Sequence, residues 1–177
     1  MRPKVVGKPR ARWIAGQRPV AMKKEKYKAP TPGLEHQVFR VGDAKDAAAF
    51  TDVSKALWRY AGSNFKVGAA MAVKAIEDLA PPDLSPPEEA PDPTDALKYK
   101  MWELGVDSWG KKKMAWEDAG LRAFQLVLSH CDTAVVDKLE ASSRWAKTKE
   151  DQDVIALLSL IQGITHQHDE VKQGTMS

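Results

Sequence analysis

Residues 94–129, TDALKYKMWELGVDSWGKKKMAWEDAGLRAFQLVLS, contain no proline and repeat apolar side chains at helical spacing. Thr94 or Asp95 suits the cap position, because a short oxygen-bearing side chain there accepts from a free backbone N–H of the first turn. A single helix over 95–129 is the expectation, roughly 50 Å long at 1.5 Å per residue. Gly105, Gly110 and Gly120 each weaken it by about 1 kcal/mol relative to alanine, and a bend near Gly120 is expected. Trp102, Trp109 and Trp116 recur every seven residues, and Val106, Phe124 and Val127 continue the stripe. Large aromatics at that spacing read as a core seam or a helix–helix interface, so these three are the packing candidates. Stacking on bases or sugars is the weaker reading. Lys111, Lys112 and Lys113, set between two of the tryptophans, read first as a solvated face and only second as a nucleic-acid contact.

Further helices follow on both sides. Downstream, Asp132 caps an expected helix over 133–141 with Val135, Val136 and Leu139 inward. Another is expected over 150–166, with Val154, Leu157, Leu158, Ile161 and Ile164 on its buried face. Upstream, Asp43 is a candidate cap for a helix over 43–62 whose apolar face is Phe50, Val53, Leu57 and Tyr60, stopped by Gly62-Ser63-Asn64. A helix over 65–79 carries Ala69, Ala72, Val73, Ile76 and Leu79 and ends at Pro81-Pro82. Between these pairs lies APPDLSPPEEAPDP, residues 80–93, where proline fixes φ and removes backbone donors, so an acidic linker is expected. Residues 34–41, LEHQVFRV, are strand-like with no evident partner strand. The chain thus divides into a flexible basic arm at 1–33, a helical domain at 34–170 and a polar tail at 171–177. The fold class is all-α, with about five helices in an irregular bundle around one long central helix.

Charge is divided unevenly along the 177 residues. The total is +3, but residues 1–28 hold ten cations (Arg2, Lys4, Lys8, Arg10, Arg12, Arg18, Lys23, Lys24, Lys26 and Lys28) against Glu25 alone, a charge of +9. The remaining seventeen bases and twenty-three acids leave −6. A polyanion is attracted to the arm and mildly repelled by the body. Those ten cations are the nucleic-acid-binding candidates, with Trp13 and Tyr27 beside them for base stacking. Residues 1–33 hold five prolines and three glycines and no hydrophobic periodicity. No apolar run is long enough to span a membrane, and no secretory signal pattern opens the chain. The one cysteine, Cys131, permits no internal disulfide, which fits a reducing, cytoplasmic compartment.

Catalytic and metal signatures are sparse. His130-Cys131 and His166/His168 are the metal candidates, but neither pair has the spacing of a zinc site. Cys131 reads as a small buried hydrophobe, and His166 and His168 as cations near a helix end. There is no nucleophile elbow, no phosphate-binding loop and no His-Glu-x-x-His. No catalytic residue, cofactor or metal is therefore expected. An enzyme would need His166, His168, Asp169 and Glu170 to converge with other polar groups.

Several segments resemble one known family. They are Cys131-Asp132, Lys138-Leu139-Glu140, Trp145, the run Asp153-Val154-Ile155-Ala156-Leu157-Leu158-Ser159-Leu160-Ile161, and Gln173-Gly174-Thr175-Met176-Ser177. Upstream are Ala29-Pro30-Thr31-Pro32-Gly33-Leu34-Glu35-His36, then Phe39, Gly42, Lys45-Asp46-Ala47-Ala48 and Trp116-Glu117-Asp118. In this order they resemble the first part of the Gag-like polyprotein of copia-type retrotransposons over residues 29–177. Family members continue into further helices, and the Cys-x-x-Cys zinc knuckle often found downstream in Gag is absent here. The resemblance implies a non-enzymatic capsid-type protein whose partners are itself and RNA, with no membrane. The alternatives are a monomeric nucleic-acid-binding helical adaptor and a decayed or domesticated Gag fragment.

Overall fold

The computed structural model describes the backbone of residues 25–42 and 44–174 and the side chains of these through residue 166. Asp43, the arm up to Lys24 and the last three residues lie outside it, as do the side chains of His168, Asp169 and Glu170. Six helices follow one another: α1 (Ala44–Asn64), α2 (Ala69–Asp78), α3 (Ala96–Ser129), α4 (Thr133–Ala141), α5 (Trp145–Asp151) and α6 (Val154–Gly174). Among the described residues the class is all-α and the helices number six, where about five were expected.

The extra helix is α5. Sequence periodicity merged its residues partly with a linker and partly with the start of the last helix. The two are separated by Gln152, whose φ of 48° is left-handed, and by Asp153, whose Oδ1 accepts from Ile155 N at 3.0 Å and Ala156 N at 3.1 Å. The capping aspartate therefore lies three residues after the expected helix start. Asp95 and Asp132 do cap as expected, accepting from Lys98 N at 3.1 Å and Val135 N at 2.9 Å.

The expected long helix is α3, and it enters the core over its last third. α3 places fully buried side chains only between Ala119 and Val127, whereas α6 touches α1, α2, α3, α4 and α5. Its Val154, Leu157, Leu158 and Ile161 are almost wholly buried. Around them pack Phe50, Val53, Leu57 and Ala61 of α1, Ala72, Ala75 and Ile76 of α2, Phe124 and Val127 of α3, and Val135 and Leu139 of α4. α1 runs past Gly62 to Asn64, because Phe65 N still reaches Ala61 O at 3.0 Å and Asn64 Nδ2 bonds Tyr60 O at 2.9 Å.

The strand-like segment finds its partner at the end of α3, more than ninety positions away in sequence. Phe39 N donates to His130 O at 2.8 Å and Asp132 N to Phe39 O at 3.2 Å, a single parallel bridge between Phe39 and Cys131. Phe39 is buried and stacks at 5.4 Å on Phe50.

α2 approaches α3 through Gly68. Its φ is +68°, and a Cβ there would fall 2.7 Å from both Ala115 O and the Cβ of Ala119. Backbone conformation and space both demand glycine. Gly68→Ala is expected to cost at least about 2 kcal/mol, from left-handed strain and a clash with backbone, measured as a fall in the denaturant midpoint at unchanged m-value.

Candidate functional site

Three groups of residues were candidates. The first is the basic arm. Arg2, Lys4, Lys8, Arg10, Arg12, Arg18, Lys23 and Lys24 lie outside the described residues. Lys26 and Lys28 are exposed, with Lys28 Nζ 3.6 Å from Glu25. The place where the arm joins the body is well defined. Tyr27 Oη donates to Ser129 O at 2.8 Å, and Arg40 holds Tyr27 O at 3.0 Å. The arm therefore enters the body at the carboxyl end of α3.

The second group is the tryptophan series. The extended segment 80–93 runs back antiparallel along α3. Trp109 Nε1 donates to Leu84 O at 2.9 Å, and Trp102 Nε1 donates to Glu88 O at 2.8 Å. Seven helical residues rise about 10.5 Å, and four residues of proline-rich extended chain about 12 Å, so the two backbones stay in step. One further interval brings the segment to Trp116, and there Pro81 and Trp116 line a common cleft. Trp102 and Trp109 thus bond to the chain's own proline-rich segment, and Trp116 packs against the core. Heptad spacing suggested a core seam or a helix–helix interface, but a strap with a matching repeat satisfies the same periodicity for the first two. Each proline lacks a donor, so the strap offers carbonyls to the indoles and needs no ladder of N–H bonds.

The strap is fixed at both ends by local turns. Asp83 Oδ1 accepts from Ser85 Oγ at 2.7 Å and Ser85 N at 3.1 Å. Asp92 Oδ1 accepts from Thr94 N at 2.9 Å and Thr94 Oγ1 at 2.8 Å. These bonds hold both carboxyls below the usual range. The lysine run is partnered within the helix, with Lys111 Nζ 2.9 Å from Asp107 and Lys113 Nζ 5.4 Å from the Trp109 ring.

The third group is the histidine–cysteine pair. His130 is fully buried at the end of α3. Its Nδ1 lies 2.6 Å from Gln37 O and its Nε2 2.8 Å from Thr31 Oγ1. A carbonyl only accepts, so Nδ1 carries the proton and Nε2 accepts from the threonine hydroxyl. The ring ties the 29–41 segment to α3. Cys131 Sγ points back at Val127 O, 3.5 Å away, and burial pushes the thiol far above its ordinary value, which makes it a poor nucleophile and ligand. His166 Nδ1 lies 2.8 Å from Gln162 O, one turn back on its own helix. Among the described residues no three His, Cys, Asp or Glu side chains converge as a metal site.

The best-formed cleft has a volume of about 500 Å³, between the middle of α3 and the α5–α6 junction, lined by Trp116, Glu117, Leu121, Asp151, Asp153 and Ile155 among others. Asp153 is committed to capping α6 and Asp151 to Lys147 at 3.2 Å. No histidine, cysteine or serine lines it. Among the described residues no helix is long and apolar enough to cross a membrane. Comparison with models of protein families, with curated proteins and with solved structures finds no match for this chain.

Two expectations follow. Replacing Trp102 and Trp109 together by alanine frees the strap, and proteolysis within 80–93 is expected to accelerate at least about tenfold, since each half-buried indole contact with its hydrogen bond contributes on the order of 1 kcal/mol. Burial holds the His130 pKa below its ordinary value, opposed by the bond to Gln37 O. The unfolded chain therefore binds a proton near pH 6.5 that the folded chain refuses. Stability is full above that pH and declines as pH falls below it, by at most about 1.4 kcal/mol per pH unit. Unfolding midpoints at pH 7.5 and 5.5 should differ more in the native chain than in His130→Gln.

Proposed function

We propose that the chain is a structural protein of the Gag capsid type, without catalytic activity, whose helical body associates with other copies while the arm binds RNA. The observation that carries this reading is the separation of +9 on residues 1–28 from −6 on the rest. A body of net negative charge does not collapse onto the polyanion that its arm holds, so the bound nucleic acid gathers bodies and leaves their surfaces free for one another. The order of family-like segments from Ala29 to Ser177 supports the same reading. RNA is bound with low sequence preference on this account, because clustered lysine and arginine charges read phosphates and not base edges.

Deletion of residues 1–28 is the test. With about six of the ten cations on single-stranded RNA, the logarithm of affinity should fall with the logarithm of salt at a slope of about −4, and the deletion should remove nearly all of it. RNA affinity that survives the deletion unchanged refutes the arm's role. Light scattering at low salt then reports the assembly. Particles far heavier than one chain, promoted by RNA, support the capsid-type reading; a one-to-one complex of constant protein mass supports the monomeric adaptor.

A further inference from the structure

The stem of α3, residues 96–114, buries none of its side chains completely. The strap covers its tryptophan side. About 120° around the helix lies a second apolar line, Leu97, Met101 and Leu104 at positions i, i+4 and i+7. These side chains are 73%, 66% and 59% exposed, and the small Gly105 and Ser108 lie beside them. Single exposed leucines are ordinary, whereas three in register on one helical face form a seam.

The geometry points to antiparallel pairing of the α3 stems of two copies through Leu97, Met101 and Leu104. This rests on the self-association reading above and names its surface. Direction follows from two arguments. From Ala115 onward α3 is covered by α2, which closes on it through Gly68. Parallel stems would drive the two bodies into each other at one end, and antiparallel stems place them at opposite ends. Parallel pairing in register also sets Lys111 against its own copy in the seam, where like charges repel. The antiparallel register sets Met101 against Leu104 of the second copy and Lys111 against its Thr94. On the flank it brings Lys100 within about 3 Å, along the axis, of Asp107 of the second copy, a pairing that the two-fold repeats. In the single chain these two side chains are solvated, Lys100 lying 3.5 Å from Glu103 and Asp107 2.9 Å from Lys111. A stable interface buries about 800 Å² per partner, and a seam this short covers less. The isolated dimer is therefore weak and strengthens when copies are concentrated on RNA.

Sedimentation equilibrium on the full chain tests it. The native protein should show a concentration-dependent monomer–dimer equilibrium. Leu104→Lys, at an exposed position that leaves the helical spectrum unchanged, should weaken it at least about tenfold. Lys100→Asp and Asp107→Lys should each weaken it about fivefold, and the double variant should recover the native constant, a rescue that parallel stems would not give. Self-association that persists undiminished in Leu104→Lys overturns this surface but leaves the assembly reading in place. Failure of the double swap to rescue overturns the antiparallel register. A native chain that stays monomeric at every concentration, with and without RNA, overturns both.

Discussion

The fold depends on covering α6. Val154, Leu157, Leu158 and Ile161 are almost wholly buried, and Ile155, Leu160 and Ile164 are packed against the core as well. An apolar arc that wide is not satisfied by one neighbour, so the helix needs walls on several sides. The walls come from distant parts of the chain. α1 and α2 supply one, the last third of α3 another, and α4 with α5 a third. This explains why the proline-rich stretch cannot be a boundary between independent domains. Both sides of it contribute to the same core, and the α1–α2 hairpin alone has too little apolar surface to fold.

Once α6 is covered by the last third of α3, the stem has no core to bury itself in, and its stability needs another source. Isolated helices of this length are marginal in water, and Gly105 and Gly110 lower the propensity further. The strap offsets that deficit. Its prolines lose little entropy on ordering because their φ is fixed in the unfolded chain too. It gives the indoles of Trp102 and Trp109 the carbonyls of Glu88 and Leu84 to bond. Exposed pairs at i+3 and i+4, such as Lys98 with Asp95 and Lys111 with Asp107, add only tenths of a kcal/mol each. The tryptophans account for more of the stem's stability than the charges do.

Local features were legible in sequence, and those that depend on a distant partner were not. Asp95 and Asp132 announce their helices because the signal and the donor lie within three residues. The apolar faces of α1, α2, α4 and α6 follow from periodicity alone. α5 was missed because seven residues make too short a window for a period, and its cap residue, Arg144, makes no side-chain cap bond. Asp153 was a findable signal, an aspartate immediately before the apolar run. The partner of Phe39 was not findable, since the bridge joins residues on opposite sides of the whole α1–α3 unit. The tryptophans show the limit most clearly. Their spacing requires a partner with a matching repeat, and both a helix and a proline-rich strap qualify. The arm is the opposite case, because its chemistry is plain in sequence and eight of its ten cations lie beyond the described residues.

On the proposed function, the arrangement along α3 bears on how RNA binding and association would combine. Tyr27 fastens the arm to Ser129, while the Leu97–Leu104 line lies 25 residues nearer the amino end of the same helix, about 38 Å away along its axis. That distance exceeds a Debye length several-fold at physiological salt. Neutralising Lys26 and Lys28, the arm cations beside Tyr27, therefore exerts almost no direct field on the stem, and coupling through local concentration needs none. Coupling of that kind depends on how many arms one RNA holds and how closely they lie, not on a conformational change in the body. It also predicts an order of events: the arms engage first, because ten cations act at long range, and the short apolar seam closes only among bodies already brought together.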